Sequence, residues 1–157
     1  MSSKKRSAVT LVLMRHGQSR WNAKNRFTGW TDVRLTEQGE RESWAAGRLL
    51  QAHGLRVGSA FTSLLTRAQT TARLALDAAG QGGDAAMPPL DCNWRLNERH
   101  YGALQGLNKE GMANRLGREM VMKWRRSFEA RPPPMTDEHP HWPLIEGDKR
   151  YAGIDCP

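Results

Sequence analysis

Apolar and polar positions divide the chain into short hydrophobic runs and longer amphipathic stretches. Residues 8–14, AVTLVLM, form a nearly continuous apolar run rich in branched side chains. Such a run predicts a parallel strand covered on both faces. After a polar, Gly-containing stretch, Thr36 stands where a helix N-cap belongs, with Glu37 in the first turn, His53 in the last turn and an end near Gly54. The segment RVGSAFTS, 56–63, reads as a second short strand, and LLTRAQTTARLALDAAG, 64–80, as an Ala- and Leu-rich helix stopped by Gly80. A third, weaker strand is predicted within PPLDCNWRLN, 88–97, followed by helical patterns around 108–116 and 117–129.

Strands alternating with helices imply an α/β fold with a mostly parallel sheet flanked by helices in three layers. The 157 residues fit a single domain, preceded by a basic tail over 1–7. From residue 131 the texture changes. Five of the eight prolines fall in RPPPMTDEHPHWP, so 131–157 is expected to be an extended, Pro-rich segment. There is no internal repeat.

Charge adds a partner class. With 24 Lys and Arg against 16 Asp and Glu, the formal charge is +8, which calls for an anion: nucleic acid, a membrane surface or a small phosphorylated molecule. No stretch is long enough to span a membrane, and the basic N-terminus runs into Arg15 and His16 without a cleavage-type ending, so a soluble cytoplasmic protein is expected. Cys92 and Cys156 match no metal or redox spacing, which predicts free thiols in a reducing compartment.

In open α/β sheets, ligands bind at the carboxyl ends of the strands. Arg15 and His16 fall at that end of the first predicted strand, Arg67 just after the second, and Glu98 to Tyr101 just after the third. A neutral histidine can attack phosphorus with one ring nitrogen while the other is held by a hydrogen bond. The transferring phosphoryl group carries charge on three oxygens, which arginine forks neutralise. Besides Arg15, the chain offers Arg67, Arg99, Lys109 and the pair Arg125 and Arg126, while Glu98 is the best-placed carboxylate for proton transfer.

Taken singly, each signal has a bland reading. Arg-His-Gly suits a turn after a strand, Arg125 and Arg126 suit a solvated helix face, and Tyr101 suits a half-buried packing position. His53 and Gly54 read as a helix end, and His139 and His141 lie in the Pro-rich loop with no strand before them. None of these three histidines is expected to be catalytic.

Together the stretches LVLMRHGQSRWNAKNRFTGWTDVRLTEQG, FTSLLTRAQTTA, WRLNERHYGALQGLNK, KWRRSFEARPPPMTDEHP and DKRYAG resemble the cofactor-dependent phosphoglycerate mutases of the histidine phosphatase superfamily. The motifs run in family order over nearly the whole chain. Arg-His-Gly marks the superfamily, whereas NERHYGALQGLNK and WRR narrow the resemblance to the mutases. It implies that His16 is phosphorylated by 2,3-bisphosphoglycerate, that Glu98 donates or accepts a proton, and that Arg15 and Arg67 assist catalysis. Implied phosphate and substrate contacts are Arg15, Ser19, Asn22, Thr28, Gly29, Arg67, Glu98, Arg99, His100, Tyr101, Lys109, Arg125 and Arg126. The implied reaction interconverts 3-phosphoglycerate and 2-phosphoglycerate in glycolysis and gluconeogenesis, without a metal. The implied partners are a small phosphoglycerate and other copies of the chain in a homo-oligomer; neither nucleic acid nor membrane is expected.

Two departures stand out. Gln18 replaces a common Glu, and Pro157 falls within the region leading to the family's second half. That half carries a second catalytic histidine in an Ala-His-Gly-Asn context and a strand beside the first one. The expectation is therefore a C-terminally truncated member with weak or absent turnover. A histidine-type phosphatase acting on phosphate monoesters, and a non-catalytic remnant binding polyanions, are the alternatives.

Overall fold

The computed structural model describes residues 9–82 and 87–154. The basic tail, Ala8 and Cys156 lie outside the described residues. The chain is of the α/β class. Two short strands, β1 (Ala60–Thr62) and β2 (Leu90–Cys92), pair in parallel, with Ala60 opposite Leu90 and Thr62 opposite Cys92. Six α-helices are described: α1 (Arg20–Ala23), α2 (Glu37–Ala52), α3 (Thr66–Ala78), α4 (Lys109–Leu116), α5 (Arg118–Arg126) and α6 (Trp142–Glu146).

Helix α2 starts where its cap chemistry dictates. Thr36 accepts the Gly39 N–H with its hydroxyl at 3.1 Å, and Glu37 and Glu40 favour the positive end of the helix dipole. It packs along α3 at very close range, because a Cβ on Gly47 would stand 2.1 Å from the Ala75 carbonyl oxygen. Gly54 and Gly80 follow α2 and α3 with φ of +63° and +70°, as left-handed stops.

Helix α1 was not expected from the sequence. It is one turn, held by a reciprocal cap: the Ser19 hydroxyl accepts the Asn22 N–H while the Asn22 side-chain oxygen accepts the Ser19 N–H, each at 3.1 Å.

The apolar run over 9–14 does not form the strand its composition predicts. Among the described residues, none from 9 to 16 joins a backbone–backbone hydrogen bond, and Val9, Leu11 and Leu13 are 92, 78 and 86% exposed. Branched side chains supply propensity, but a strand exists only through its ladder, and no strand among the described residues pairs with this segment.

The Pro-rich segment also departs from expectation. It is not extended throughout: α6 begins at Trp142, with Pro143 in its first turn, where a missing N–H costs nothing. A 3-10 turn follows at Lys149–Tyr151. Met135, Ile145 and Tyr151 from this segment close over Trp30 as one of two apolar clusters. The other joins Phe27, Tyr101, Leu104 and Val121. Together they fix the loops on either side of the site.

Candidate active site

Residues 15–17 leave the extended segment and run against the start of α2. Gly17 is required there for space: a Cβ would meet the Gly39 carbonyl oxygen at 2.1 Å. The Gly17 N–H donates to the Thr71 hydroxyl at 3.1 Å, and that hydroxyl donates back to the Arg67 carbonyl one turn earlier in α3 at 2.8 Å. The backbone beside His16 is thereby tied to the helix that carries Arg67.

The His16 ring lies partly buried, with Nδ1 2.7 Å from its neighbour's carbonyl, Gly17 O. A carbonyl only accepts, so Nδ1 carries the proton and Nε2 keeps its lone pair. Burial pushes the ring's pKa below its usual value, Arg67 and Arg15 push the same way, and the Gly17 carbonyl and Glu98 oppose them. Near neutral pH the imidazole is therefore uncharged.

Arg67 is completely buried. One terminal nitrogen donates to Gly29 O at 2.8 Å and to Glu98 Oε2 at 2.9 Å, and the other donates to Thr31 O at 3.1 Å. Gly29 makes this possible with φ of +55° and no side chain, since a Cβ there would fall 2.0 Å from Gln105 Oε1. Gln105, itself buried, accepts the Trp30 N–H at 2.7 Å, and the Trp30 indole donates to the Glu98 carbonyl at 2.9 Å. One loop thus positions both the arginine and the carboxylate.

These groups open on a cleft of about 620 Å3, within the range of small-ligand sites. Arg15, His16, Arg67 and Glu98 line it together with Asn22. Tyr101, Lys109, Arg125 and Arg126 line it from the α4 and α5 side, and Val12 to Met14 with Phe61 to Ser63 from the strand side. Burial and the nearby Arg125 lower the Lys109 pKa, and burial and Glu98 raise that of the Tyr101 phenol. Such crowding of positive charge is what an anion relieves.

The remaining sequence-derived candidates stand elsewhere. Ser19 is buried in the α1 cap, and Thr28 and Gly29 lie in the loop behind Arg67. Arg99 turns toward the carbonyls of Trp124 and Ala130, at 3.5 and 3.4 Å. His100 packs edge-on against Trp30 and accepts the Gly102 N–H at 3.1 Å. The cleft does not include the side chains of Arg99 or His100. Sequence reasoning missed Thr71 and Gln105; the only signal for Thr71 is its position one helical turn after Arg67.

Arg67 Nε at this site, and Thr28 Oγ1 in the loop behind it, are buried polar atoms with no partner among the described residues. Buried donors are normally satisfied, so an unpartnered Nε on Arg67, a residue that lines the cleft, stands out. His53, the other histidine followed by glycine, binds its own helix carbonyl at Leu49 and takes no part. The wide groove on the outer face of α2, around Trp44 and Leu49, holds no histidine.

These features define an α/β protein with a histidine-centred, arginine-rich cleft. The chain belongs to the histidine phosphatase superfamily, branch 1, whose family model matches residues 11–141. It is 52% identical over 148 residues to the 2,3-bisphosphoglycerate-dependent phosphoglycerate mutase of Nocardia farcinica, covering 94% of this chain and 58% of that one. The mutase of the same name from Caulobacter sp. is also 52% identical, over 147 residues, covering 94% of this chain and 60% of that protein. The chain therefore spans about 60% of the length of the curated relatives it matches. Among solved structures it resembles phosphoglycerate mutase from Bacillus anthracis, with a TM-score of 0.60 at 25% identity over 69% of this chain and 47% of that one. It also resembles a mycobacterial glucosyl-3-phosphoglycerate phosphatase in complex with VO3, with a TM-score of 0.62 at 26% identity over 74% of this chain and 51% of that one. No helix among the described residues is long and apolar enough to cross a membrane.

Proposed function

We propose that the chain carries the phosphohistidine-forming site of a 2,3-bisphosphoglycerate-dependent phosphoglycerate mutase, interconverting 3-phosphoglycerate and 2-phosphoglycerate. The observation that carries this reading is a neutral His16 with Nε2 free, beside the buried Arg67–Glu98 pair in a basic cleft. The unpartnered Arg67 Nε suits a phosphate oxygen, and the crowded cations Lys109, Arg125 and Arg126 suit a second anionic group. The site's chemistry thus fits 2,3-bisphosphoglycerate, which would supply the phosphoryl group that primes His16.

In this reading His16 Nε2 attacks phosphorus while the Gly17 carbonyl holds the Nδ1 proton and stabilises the developing positive charge on the ring. Arg15 and Arg67 neutralise the equatorial oxygens. Glu98, held by Arg67 at 2.9 Å, transfers the proton of the hydroxyl that leaves or enters. Asn22 contributes a further contact from α1, and Tyr101, Lys109, Arg125 and Arg126 grip the substrate's far end. The same site with water as the acceptor would be a phosphatase, a reading favoured by the likeness to the mycobacterial phosphatase.

The test is to incubate the protein and its His16→Ala variant with 2,3-bisphosphoglycerate and read intact mass. An acid-labile phosphoryl group on the parent alone is the expected result; equal labelling of both, or of neither, sinks the reading. Comparing isomerisation of 3-phosphoglycerate with phosphate release then separates mutase from phosphatase.

A further inference from the structure

Helix α3 carries Arg67 as its second residue, yet its own N-cap, Leu65, has no side chain able to cap it. The cap comes from a distant loop. Asp32 accepts the Thr66 N–H with Oδ1 at 2.8 Å and the Thr66 hydroxyl with Oδ2 at 2.6 Å. Asp32 is in turn held by Arg150, which donates to Oδ2 at 2.9 Å and, through its other terminal nitrogen, to the Leu64 carbonyl at 2.7 Å. The Arg150 fork is itself fixed by Asp148, with Nε 2.9 Å from Oδ1 and 3.0 Å from Oδ2.

One guanidinium therefore joins three pieces of chain: the loop before Val33, the residues leading into α3, and the 3-10 turn at Lys149–Tyr151. The first two are the pieces that hold Arg67. Its backbone sits in the helical turn that Asp32 caps, and its guanidinium binds the carbonyls of Gly29 and Thr31 in the same loop as Asp32. A shift of that loop against α3 would pull the Arg67 head away from its stem. Stacking of Tyr151 on Trp30, with ring centroids 4.8 Å apart, ties the same turn to the residue whose indole binds the Glu98 carbonyl.

We propose that Asp32 and Arg150 are positioning residues for the phosphate site, acting through Arg67. Neither lines the cleft. An exposed ion pair alone contributes little, and a planar fork that meets a helix cap, a carbonyl and a second carboxylate together differs from it in geometry. This inference rests on the proposed phosphate-binding role of Arg67.

The test is a titration of the whole chain with inorganic phosphate, in the parent, Arg67→Lys, Arg150→Ala, Arg150→Lys and the Arg67→Lys/Arg150→Ala double variant, each with a thermal melt. Arg150→Ala is expected to weaken phosphate binding about tenfold, while the double variant binds no more weakly than Arg67→Lys alone, because coupled residues are non-additive. Arg150→Lys, which keeps the charge but loses the fork, is expected to fall between the parent and Arg150→Ala, and it serves as the working variant if the alanine protein does not melt cooperatively. If Arg67→Lys weakens binding but both Arg150 variants bind like the parent, or if the losses add, the positioning role is overturned and the phosphate site stands. If Arg67→Lys binds phosphate like the parent, the phosphate site itself is overturned, and the positioning role with it.

Discussion

The guanidinium of Arg67 and the carboxylate of Glu98, 31 residues apart in the chain, meet at 2.9 Å, with the arginine side chain fully buried and the glutamate one-third exposed. The pair is asymmetric. Arg67 also binds two loop carbonyls, so removing it strands three acceptors, whereas removing the charge on Glu98 leaves an oxygen that can still accept. Arg67→Ala is therefore expected to cost about 2–4 kcal/mol in urea unfolding, and Glu98→Gln under about 1 kcal/mol. Under the proposed function the order reverses for chemistry at Glu98: Glu98→Gln slows phosphoryl transfer to substrate about a hundred- to ten-thousand-fold while stability holds. Comparable stability losses from both variants would contradict the asymmetry.

Under the proposed function His16 must be neutral to attack, and its surroundings favour that form. Its pKa lies below the ordinary histidine value, chiefly through burial. The initial rate of His16 labelling by 2,3-bisphosphoglycerate is expected to be flat above about pH 7 and to fall below the ordinary imidazole pKa of about 6.5. A rate that halves near pH 7 or higher would show that the ring is charged in the folded protein.

Acid should also unfold the chain through a histidine outside the cleft. Burial and the neighbouring His139 lower the His100 pKa to about 4. Its Nδ1 accepts the Gly102 N–H, a bond lost on protonation, and Trp30 covers its edge. The unfolded chain takes up this proton near pH 6.5 and the folded chain only near pH 4, so stability is full above 6.5 and declines as pH falls toward 4. With allowance for screening of a partly exposed ring, the loss amounts to about 2 kcal/mol. Urea midpoints for the parent and His100→Asn between pH 7 and 4 check this: the variant should lose much of the slope, and an unchanged slope would assign it elsewhere.

Local chemistry made part of this structure legible in the sequence. Thr36 before Glu37, and Gly54 and Gly80 after their helices, mark ends that depend only on neighbours a few residues away. The Arg-His-Gly motif and the loops after the next two apolar runs pointed to His16, Arg67 and Glu98, which line one cleft. What failed was non-local. Residues 9–14 have strand composition, but pairing is supplied or withheld by other parts of the chain. The Pro-rich segment was expected to be extended, because the sequence does not reveal that Met135, Ile145 and Tyr151 would fold over Trp30. Arg99 and His100 sit between Glu98 and Tyr101 in sequence, yet the backbone turns their side chains to other surroundings.

Gly17 carries a prediction in which steric contact, not backbone freedom, decides the sign. Its φ is not in the left-handed region, so alanine fits the local backbone. The obstacle is the Gly39 carbonyl oxygen, 2.1 Å from a would-be Cβ, and Gly39 presents the mirror problem with Gln18 O at 2.1 Å. Both contacts are with backbone, one at the start of α2 and one at Gln18, and neither can move without disturbing Thr36, which caps Gly39 and donates to the Gln18 carbonyl. Gly17→Ala is therefore expected to destabilise by about 2–3 kcal/mol. It should also slow His16 labelling, since the same strain displaces the Gly17 N–H from Thr71 and the Gly17 carbonyl from the His16 ring. Gly58 is the control: it is exposed, has no atom within 4 Å of its would-be Cβ and no left-handed φ. Gly58→Ala should leave labelling unchanged and add a few tenths of a kcal/mol by restricting the unfolded chain. Thermal melts that rank the two substitutions equally would mean that the Gly17–Gly39 approach is not as close in solution as the packing of α2 requires.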